Sequence, residues 1–257
     1  MRNPKMKRVL CPKLPIAGHP APLPESEAEH LTRVLRLGDG DVVEALDGRG
    51  HAVRATLRLR GGQGPRLEFM ADESAAAEKQ KIPAIVLETA ILKGEAMEWV
   101  VEKSVELGVK TLVPLITAHT VVQIKGKGPE AFRDRWQKIA DQALKQCGRL
   151  ERMEVALPVA LEDHFAKNPN SAETPRLWCD EAEREAAPPL LEWLSDHRVQ
   201  GVHLLVGPEG GWSDFERNRL ITLGYERVSL SPWVLRAETA GLFAVSLASA
   251  YLTKAAD

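Results

Sequence analysis

The segment Leu204-Leu205-Val206-Gly207-Pro208-Glu209-Gly210-Gly211-Trp212-Ser213 places an apolar run directly before a glycine-rich bend. The run that ends at Val206 has the composition of a buried strand, and Ser213 with Glu216 forms the S-x-x-E pattern of a helix capping box. Strand, bend and capped helix make up the repeating unit of α/β proteins, whose ligands bind where such strands end. The segment therefore predicts an α/β fold with a ligand site at this bend.

The bend differs from the known phosphate-binding loops. Its spacing is not G-x-G-x-x-G, no G-K-[ST] follows, and Glu209 would repel a phosphate. A ligand without phosphate, and especially a cationic one, suits the bend better. The structural alternative is a tight turn in which the glycines only supply positive φ angles.

A second predicted strand end carries an arginine at the start of a helix. In Leu230-Ser231-Pro232-Trp233-Val234-Leu235-Arg236-Ala237-Glu238-Thr239-Ala240, Glu238 suits the first helical turn, whereas Arg236 opposes the helix dipole. A guanidinium offers five fixed donors to an oxyanion or a planar polar edge. Arg236 is therefore a candidate functional residue, and a surface ion pair with Glu238 is the structural alternative.

The rest of the chain falls into a β-rich part and an alternating part. Residues 42–46 and 51–59 predict a hairpin, and Ser26-x-x-Glu29 predicts a capping box that opens a helix with Leu31, Val34 and Leu35 on one face. The polar stretch 71–81 predicts a linker, with a boundary near residue 75. Beyond it, strands at about 84–87, 112–116, 177–179, 202–206 and 228–230 alternate with helices, which predicts a parallel sheet covered on both faces.

Composition excludes several classes of protein. The 257 residues are 44% hydrophobic and 27% charged, which is typical of globular proteins rather than disordered, collagenous or coiled-coil chains. Three separated cysteines indicate neither a disulfide framework nor a zinc cluster, and Cys147 is expected to be a small buried residue rather than a nucleophile. The uncharged stretch 239–253 is too short to span a membrane, so we expect a cytoplasmic protein. We also expect the protein to bind no metal.

The net charge of −2 hides an uneven distribution. Residues 1–66 hold 12 Lys and Arg against 7 Asp and Glu, a net charge of +5, which leaves −7 for the rest. His30, Arg33 and Arg36 follow each other at three-residue steps, so one helical face could meet phosphates. A merely solvated basic face is the alternative.

Several segments, in their order along the chain, resemble the RsmE family of 16S ribosomal RNA uridine-N3 methyltransferases, which belongs to the SPOUT class. The resemblance covers nearly the whole chain. The matching segments are residues 30–37 (HLTRVLRL), Lys93-Gly94 through Glu106-Leu107-Gly108, Gln146-Cys147-Gly148-Arg149, Val206–Gly211 and Leu235–Ala240.

The resemblance implies a fold and an activity. Residues 1–75 would form a PUA-like RNA-binding β-barrel, and residues 76–257 a trefoil-knotted α/β SPOUT methyltransferase domain that acts as a homodimer. The implied reaction is methylation of N3 of one uridine, the position called 1498, in 16S rRNA of the small ribosomal subunit, with S-adenosyl-L-methionine as cofactor. The chain has Ser231, Trp233 and Ala237 where the family often has Gly, Arg and Thr.

The resemblance, together with the chemistry of the reaction and the distribution of charge, assigns site residues. Arg236 and Glu209 are the expected catalytic residues, Arg236 for charge stabilisation and Glu209 as a candidate proton acceptor beside plain solvent. The expected RNA-binding residues are His30, Arg33, Arg36, Lys93, Gln146 and Arg149. The expected cofactor-binding residues are Leu205, Val206, Gly207, Pro208, Glu209, Gly210, Leu230, Leu235, Arg236, Glu238 and Thr239.

Two other classes of protein stay open at this stage. One is a dehydrogenase or other nucleotide-binding α/β enzyme, although its phosphate motifs are missing. The other is a non-catalytic RNA-binding protein with a degenerate cofactor domain.

Overall fold

The computed structural model describes residues 6–60, 64–70, 83–124, 128–167, 174–182 and 186–255. The chain divides into two compact units, one within 1–80 together with 144–152, the other within 81–143 together with 153–257. The predicted linker 71–81 and the boundary near residue 75 lie outside the described residues.

The first unit is a five-stranded sheet curled around one apolar core. Its strands are β1 Arg8–Leu10, β2 Ala21–Pro22, β3 Val42–Leu46, β4 Ala52–Arg58 and β5 Arg66–Phe69, in the spatial order β1-β3-β4-β5-β2. β1 pairs parallel with β3, and the other pairs are antiparallel, so the predicted β3–β4 hairpin is confirmed. Every strand contributes a buried side chain to the core, as Val9, Ala21, Val43, Leu57 and Leu67 illustrate.

The helix of this unit differs from the sequence prediction. α1 spans Glu25–Glu29 and begins after Pro24 without a side-chain cap, so the predicted capping box from Ser26 to Glu29 is wrong. A π-helical turn, His30–Val34, follows. Because a π-turn holds more residues than an α-turn, the predicted apolar face breaks up, and Val34 is 66% exposed while Leu31 is buried.

The second unit is the predicted parallel sheet. Its strands are β6 Ala84–Ala90, β7 Thr111–Ile116, β8 Glu154–Val155, β9 Val159–Ala160, β10 Arg176–Cys179, β11 Gly201–Val206 and β12 Glu226–Val228. The spatial order is β12-β10-β11-β6-β7-β8, with β9 also paired to β7, and every pair is parallel. The predicted α/β class is confirmed, whereas the trefoil knot stays a prediction.

Helices cover both faces of this sheet. They are α2 Glu95–Glu106, α3 Gly128–Cys147, α4 Leu161–Lys167, α5 Leu190–Asp196, α6 Asp214–Thr222 and α7 Ala237–Ala255. α7 packs on β6 and β11 beside α2 and α5. On the opposite face, Leu161 and Phe165 of α4 and Leu220 of α6 pack with Leu205 and Trp212. None of the described helices is long and apolar enough to cross a membrane.

A buried charged cluster lies between β6, β11 and α4. The Glu88 side chain is fully buried, and its Oε1 lies 2.6 Å from Nδ1 of His203 and 3.1 Å from Nε2 of His164. Burial raises the pKa of Glu88, but the hydrogen bonds and charges of both histidines more than offset this and lower it to about 2. The cluster therefore holds an ionised carboxylate inside the unit.

Candidate functional site

A cavity of about 710 Å³ opens where β10, β11 and β12 end. Two loops form most of its wall, one between β11 and α6 and the other between β12 and α7, and residues 179–181 at the end of β10 complete it. Ligand pockets of this volume hold small organic molecules, and the carboxyl edge of a parallel sheet is where such molecules bind. The cavity is therefore the candidate ligand site.

Most of the expected cofactor-binding residues line this cavity. They are Val206, Gly207, Pro208, Glu209, Gly210, Leu230, Leu235, Arg236 and Glu238. Leu205 instead lies in the core against α4 and α6, because alternate residues of β11 face opposite sides of the sheet. Thr239 is exposed on α7 outside the cavity wall.

The glycine bend is shaped by a tryptophan packed beneath it. A Cβ atom at Gly207 would lie 2.9 Å from Cε2 and 3.0 Å from Nε1 of Trp212. Trp212 is buried, its Nε1 donates a hydrogen bond to the carbonyl oxygen of Cys179 at 3.0 Å, and its ring meets Trp178 edge-on. Only glycine leaves room for this contact, so the bend needs Gly207 for close approach.

The cavity wall is acidic. Among the described lining residues, Asp180, Glu181, Glu209 and Glu238 carry carboxylates, and Arg236 carries the guanidinium. Asp180 is fully buried and accepts hydrogen bonds from Arg217 at 3.2–3.4 Å, which offsets its charge. The remaining negative charge suits a ligand with a positive centre and disfavours a phosphate.

The cysteine in the wall is not a nucleophile. Burial and the neighbouring charge of Asp180 raise the pKa of the Cys179 thiol to about 12. The thiol therefore stays protonated at neutral pH, and thiolate chemistry at this residue is excluded.

Glu209 joins the bend to the start of α2. Its Oε1 accepts a hydrogen bond from the backbone N–H of Lys93 at 3.2 Å, and both side chains are exposed. The two segments are more than a hundred residues apart in sequence. The bond holds the backbone of Lys93 beside the glycine bend.

Arg236 lies at the mouth of the cavity. Its side chain is exposed, and its carbonyl oxygen accepts from the N–H of Ala240 as α7 begins. Within the described part of the chain, no ion pair joins Arg236 to Glu238, so the structural alternative for this arginine is wrong. The guanidinium is available to a bound ligand.

A histidine supports the bend from outside. Nδ1 of His119 lies 3.0 Å from the carbonyl oxygens of both Gly210 and Gly211. The turn that carries it is fixed at two points, since Thr120 Oγ1 accepts from the N–H of Thr117 at 2.9 Å and Glu216 Oε1 accepts from the N–H of Ala118 at 2.8 Å. Glu216 also completes the predicted capping box with Ser213, which is confirmed.

The expected RNA-binding residues of the first unit do not share a helical face. His30 is half-buried, and Arg33 is exposed with an ion pair to Glu29 at 3.4 Å. Arg36 lies beyond the π-helical turn in the left-handed region, at φ 56°. The helical turn ends before Arg36, so the three-residue spacing of His30, Arg33 and Arg36 did not predict how their side chains are arranged.

Lys93 and Gln146 are exposed, whereas Arg149 is buried. Burial lowers the pKa of Arg149, partly offset by Cys147 and Glu151. Cys147 is exposed, so the expectation that it is buried is wrong; it lies at the last turn of α3, where the predicted apolar face has ended.

The sequence did not reveal Asp180, Glu181 and His119 as neighbours of the bend. Asp180 and Glu181 follow β10, and His119 follows β7. The sequence shows that these residues come soon after predicted strands. It does not show the order of the strands in the sheet, which is what brings the residues to the bend. Among the described residues, no cluster of three His, Cys, Asp or Glu side chains is arranged to hold a metal.

Comparison with protein families gives two matches. The family described as an RNA methyltransferase domain matches residues 78–249, and the family described as an RNA methyltransferase PUA domain matches residues 23–62. Ribosomal RNA small subunit methyltransferase E of Synechocystis is 33% identical over 233 residues, which cover 90% of this chain and 73% of that one. The Bacillus subtilis protein of the same name is 26% identical and covers 87% of each chain.

Solved structures agree with the sequence matches. Ribosomal RNA small subunit methyltransferase E from Neisseria gonorrhoeae, bound to S-adenosyl methionine, is 29% identical with a TM-score of 0.81, covering 94% of this chain and 96% of that one. A methyltransferase from Legionella pneumophila, in complex with the cofactor SAM, is 30% identical with a TM-score of 0.80, covering 96% and 98%.

Proposed function

The chain belongs to the ribosomal RNA small subunit methyltransferase E family, and we propose that it methylates N3 of a uridine in 16S rRNA with S-adenosyl-L-methionine as methyl donor. The observation that carries the proposal is the acidic cavity between the two loops, with Arg236 at its mouth. The uridine called position 1498 is the expected target.

The cavity fits the cofactor in size and charge. S-adenosylmethionine combines an adenosine with a sulfonium centre and a zwitterionic amino-acid end, so its net charge is positive. A wall that includes Glu181, Glu209 and Glu238 favours such a ligand. The apolar side chains of Val206, Leu230 and Leu235 line the same space for the adenosine. The missing phosphate motifs, which weaken the case for a dehydrogenase, are expected for such a ligand.

The chain's own part in the reaction is orientation and charge stabilisation. When bound, the cofactor supplies an already activated methyl group on sulfur. N3 of uridine becomes nucleophilic when its proton leaves, and the negative charge then spreads to the two flanking carbonyl oxygens. We propose that Arg236, which lines the cavity, stabilises that charge, since fixed donors of this kind usually give the largest single catalytic contribution.

The basic residues of the first unit are proposed to hold the RNA. Arg33 and Arg36 are both exposed, and residues 1–66 carry a net charge of +5. Lys93 and Gln146 are also exposed, so both can meet the substrate. Arg149, which is buried, would act by shaping the surface that the RNA meets rather than as a free cation.

A homodimer in the cytoplasm, with a knotted second unit, completes the proposal. Support for a second copy comes from apolar side chains that are exposed on this chain near the cavity or on the flanking helices: Trp233 at 76%, Val234 at 67%, Trp99 at 48% and Phe243 at 41%. Sedimentation of the protein at micromolar concentration tests the dimer. A monomer at all concentrations would contradict it.

Modification of ribosomal subunits tests the function. The protein is incubated with S-adenosylmethionine and small subunits that lack the methyl group, and the modified nucleotide is mapped and its methylated atom identified by mass spectrometry. We expect one N3-methyluridine in 16S rRNA. Methylation at carbon or ribose, or RNA binding without methyl transfer, would contradict the proposal, and equilibrium binding of NAD against S-adenosylmethionine separates it from a dehydrogenase.

A further inference from the structure

A tryptophan stands at the rim of the cavity. Trp233 belongs to the loop between β12 and α7, lines the cavity, and is 76% exposed. The neighbouring Val234 also lines the cavity and is 67% exposed. Among the lining residues that the structure describes, Trp233 carries the only aromatic ring. Apolar side chains that stay exposed together beside a ligand site mark a surface for a binding partner.

The loop fixes the backbone of this tryptophan. The N–H of Trp233 donates to Oγ of Ser231 at 3.1 Å, and Pro232 between them has a restricted φ angle. Arg236, which also lines the cavity, follows three residues later in the same loop. One short segment therefore presents both a flat aromatic ring and a guanidinium group at the cavity.

The proposed reaction restricts how a uridine approaches the cavity. Once N3 has lost its proton, its electron pair lies in the plane of the base, so the edge of the base must point at the methyl group. The two faces of the base then lie against the sides of the cavity mouth. A base that stays stacked in RNA cannot enter a cavity, so enzymes that modify bases extrude them and stack them on aromatic or apolar side chains.

We propose that Trp233 is the surface on which the target uridine stacks; this rests on the function proposed above. The indole meets one face of the extruded base, and Arg236 meets its polar edge. Because every base has a π face, stacking holds the base without reading its identity. Trp233 is thus a substrate-binding residue that brings N3 to the cavity, and it does not select uridine over other bases.

Two other occupants of the ring are alternatives, namely a second copy of this chain and the adenine of the cofactor. The adenine would lie inside the cavity, whereas most of the Trp233 surface is open to solvent, which favours a ligand that arrives from outside. The exposed guanidinium of Arg236 in the same loop favours a polyanion such as RNA over an apolar protein surface.

The test compares Trp233→Phe, which keeps an aromatic face, with Trp233→Leu, which keeps an apolar side chain without one. In single-turnover assays with the full-length protein and unmethylated small subunits, we expect Trp233→Leu to raise the subunit concentration at half-maximal rate by about tenfold to a hundredfold. Trp233→Phe should recover most of this loss. Phe215→Leu, at a similarly exposed aromatic residue of α6 outside the cavity wall, should behave as the wild type.

Cross-linking gives a readout without catalysis. Small subunits reconstituted with 16S rRNA that contains 5-iodouridine are irradiated in the presence of the protein, and the joined residues are mapped by mass spectrometry. We expect a bond between Trp233 and the nucleotide that the wild type methylates, and no such bond in Trp233→Leu.

Four outcomes would overturn the proposal. Wild-type kinetics for Trp233→Leu would do so, as would cross-links from the methylated nucleotide to other residues only. A loss confined to cofactor affinity in calorimetric titration would place the adenine on the ring, and a change from dimer to monomer in sedimentation would place a second copy there. If the wild-type protein methylates no uridine N3, the proposed function itself fails, whatever the variants show.

Discussion

The indole nitrogen of Trp212 donates to the carbonyl oxygen of Cys179, across 3.0 Å, and this bond fixes the ring under the glycine bend. Cys179 ends β10, and Trp212 precedes α6, so the bond connects the neighbouring strand to the loop that walls the cavity. Because the indole would lose a buried hydrogen bond if it moved, it forms a rigid floor for the loop.

Gly207→Ala should displace the loop, since its Cβ atom would come within 3.0 Å of a ring that cannot yield. We expect a loss of about 1–3 kcal/mol in the free energy of unfolding and weaker cofactor binding, measured by urea unfolding and calorimetric titration. Gly241→Ala, at a glycine in α7 with nothing within 4 Å of its Cβ position, is the control and should bind normally. Equal behaviour of the two variants would contradict the prediction.

Arg236→Ala should lower the methylation rate by about 10²-fold at saturating cofactor, because one preorganised charge is lost from the transition state. Arg236→Lys should recover only part of the rate, since an ammonium lacks the planar set of donors. Single-turnover assays on small subunits measure this. Arg219→Ala, on α6 and paired with Glu162 outside the cavity, serves as control. A near wild-type rate for Arg236→Ala would remove this residue from the mechanism.

Arg33→Glu with Arg36→Glu should weaken RNA binding and its dependence on salt. If each arginine contacts one phosphate, the slope of log affinity against log salt concentration shrinks by about two in the double variant. Filter binding across a salt series measures the slope. The control is Lys13→Glu, which changes the net charge of the same unit at an exposed position outside the π-helical turn. An unchanged slope in the double variant argues that RNA binds elsewhere.

Glu88 should make the protein sensitive to acid. Its pKa is lowered from 4.5 to about 2 in the folded chain, so its contribution is complete above pH 4.5 and is lost as the pH falls toward 2. That contribution is on the order of 3 kcal/mol. Unfolding of wild type and Glu88→Gln is compared between pH 2 and 6.

We expect Glu88→Gln to be the less stable protein at pH 6 and the difference to shrink toward pH 2. Glu192→Gln, an exposed carboxylate on α5, should follow the wild type throughout. Parallel curves for wild type and Glu88→Gln would show that the His164–Glu88–His203 cluster does not hold an ionised carboxylate.

Local patterns predicted the elements around the site well. The strand ending at Val206 and the Ser213–Glu216 capping box depend on apolar runs and on hydrogen bonds within one turn, which a sequence records directly. The predicted Ser26–Glu29 capping box did not form, although it has the same S-x-x-E pattern as Ser213–Glu216. Pro24, fixed near φ −54°, takes the N-cap position and starts that helix two residues earlier, which leaves Ser26 inside it.

By itself, the sequence determined the alternation of strands and helices, the glycine bend with Glu209 inside it, and the arginine that precedes α7. These follow from periodicity, glycine and charge within a few residues. Only the tertiary structure decided that Asp180 and Glu181 share the cavity wall with the bend, that Trp212 leaves no room at Gly207, and that His119 donates to Gly210. The reason is that the order of strands in a parallel sheet is set by packing between distant segments, and no local pattern encodes it.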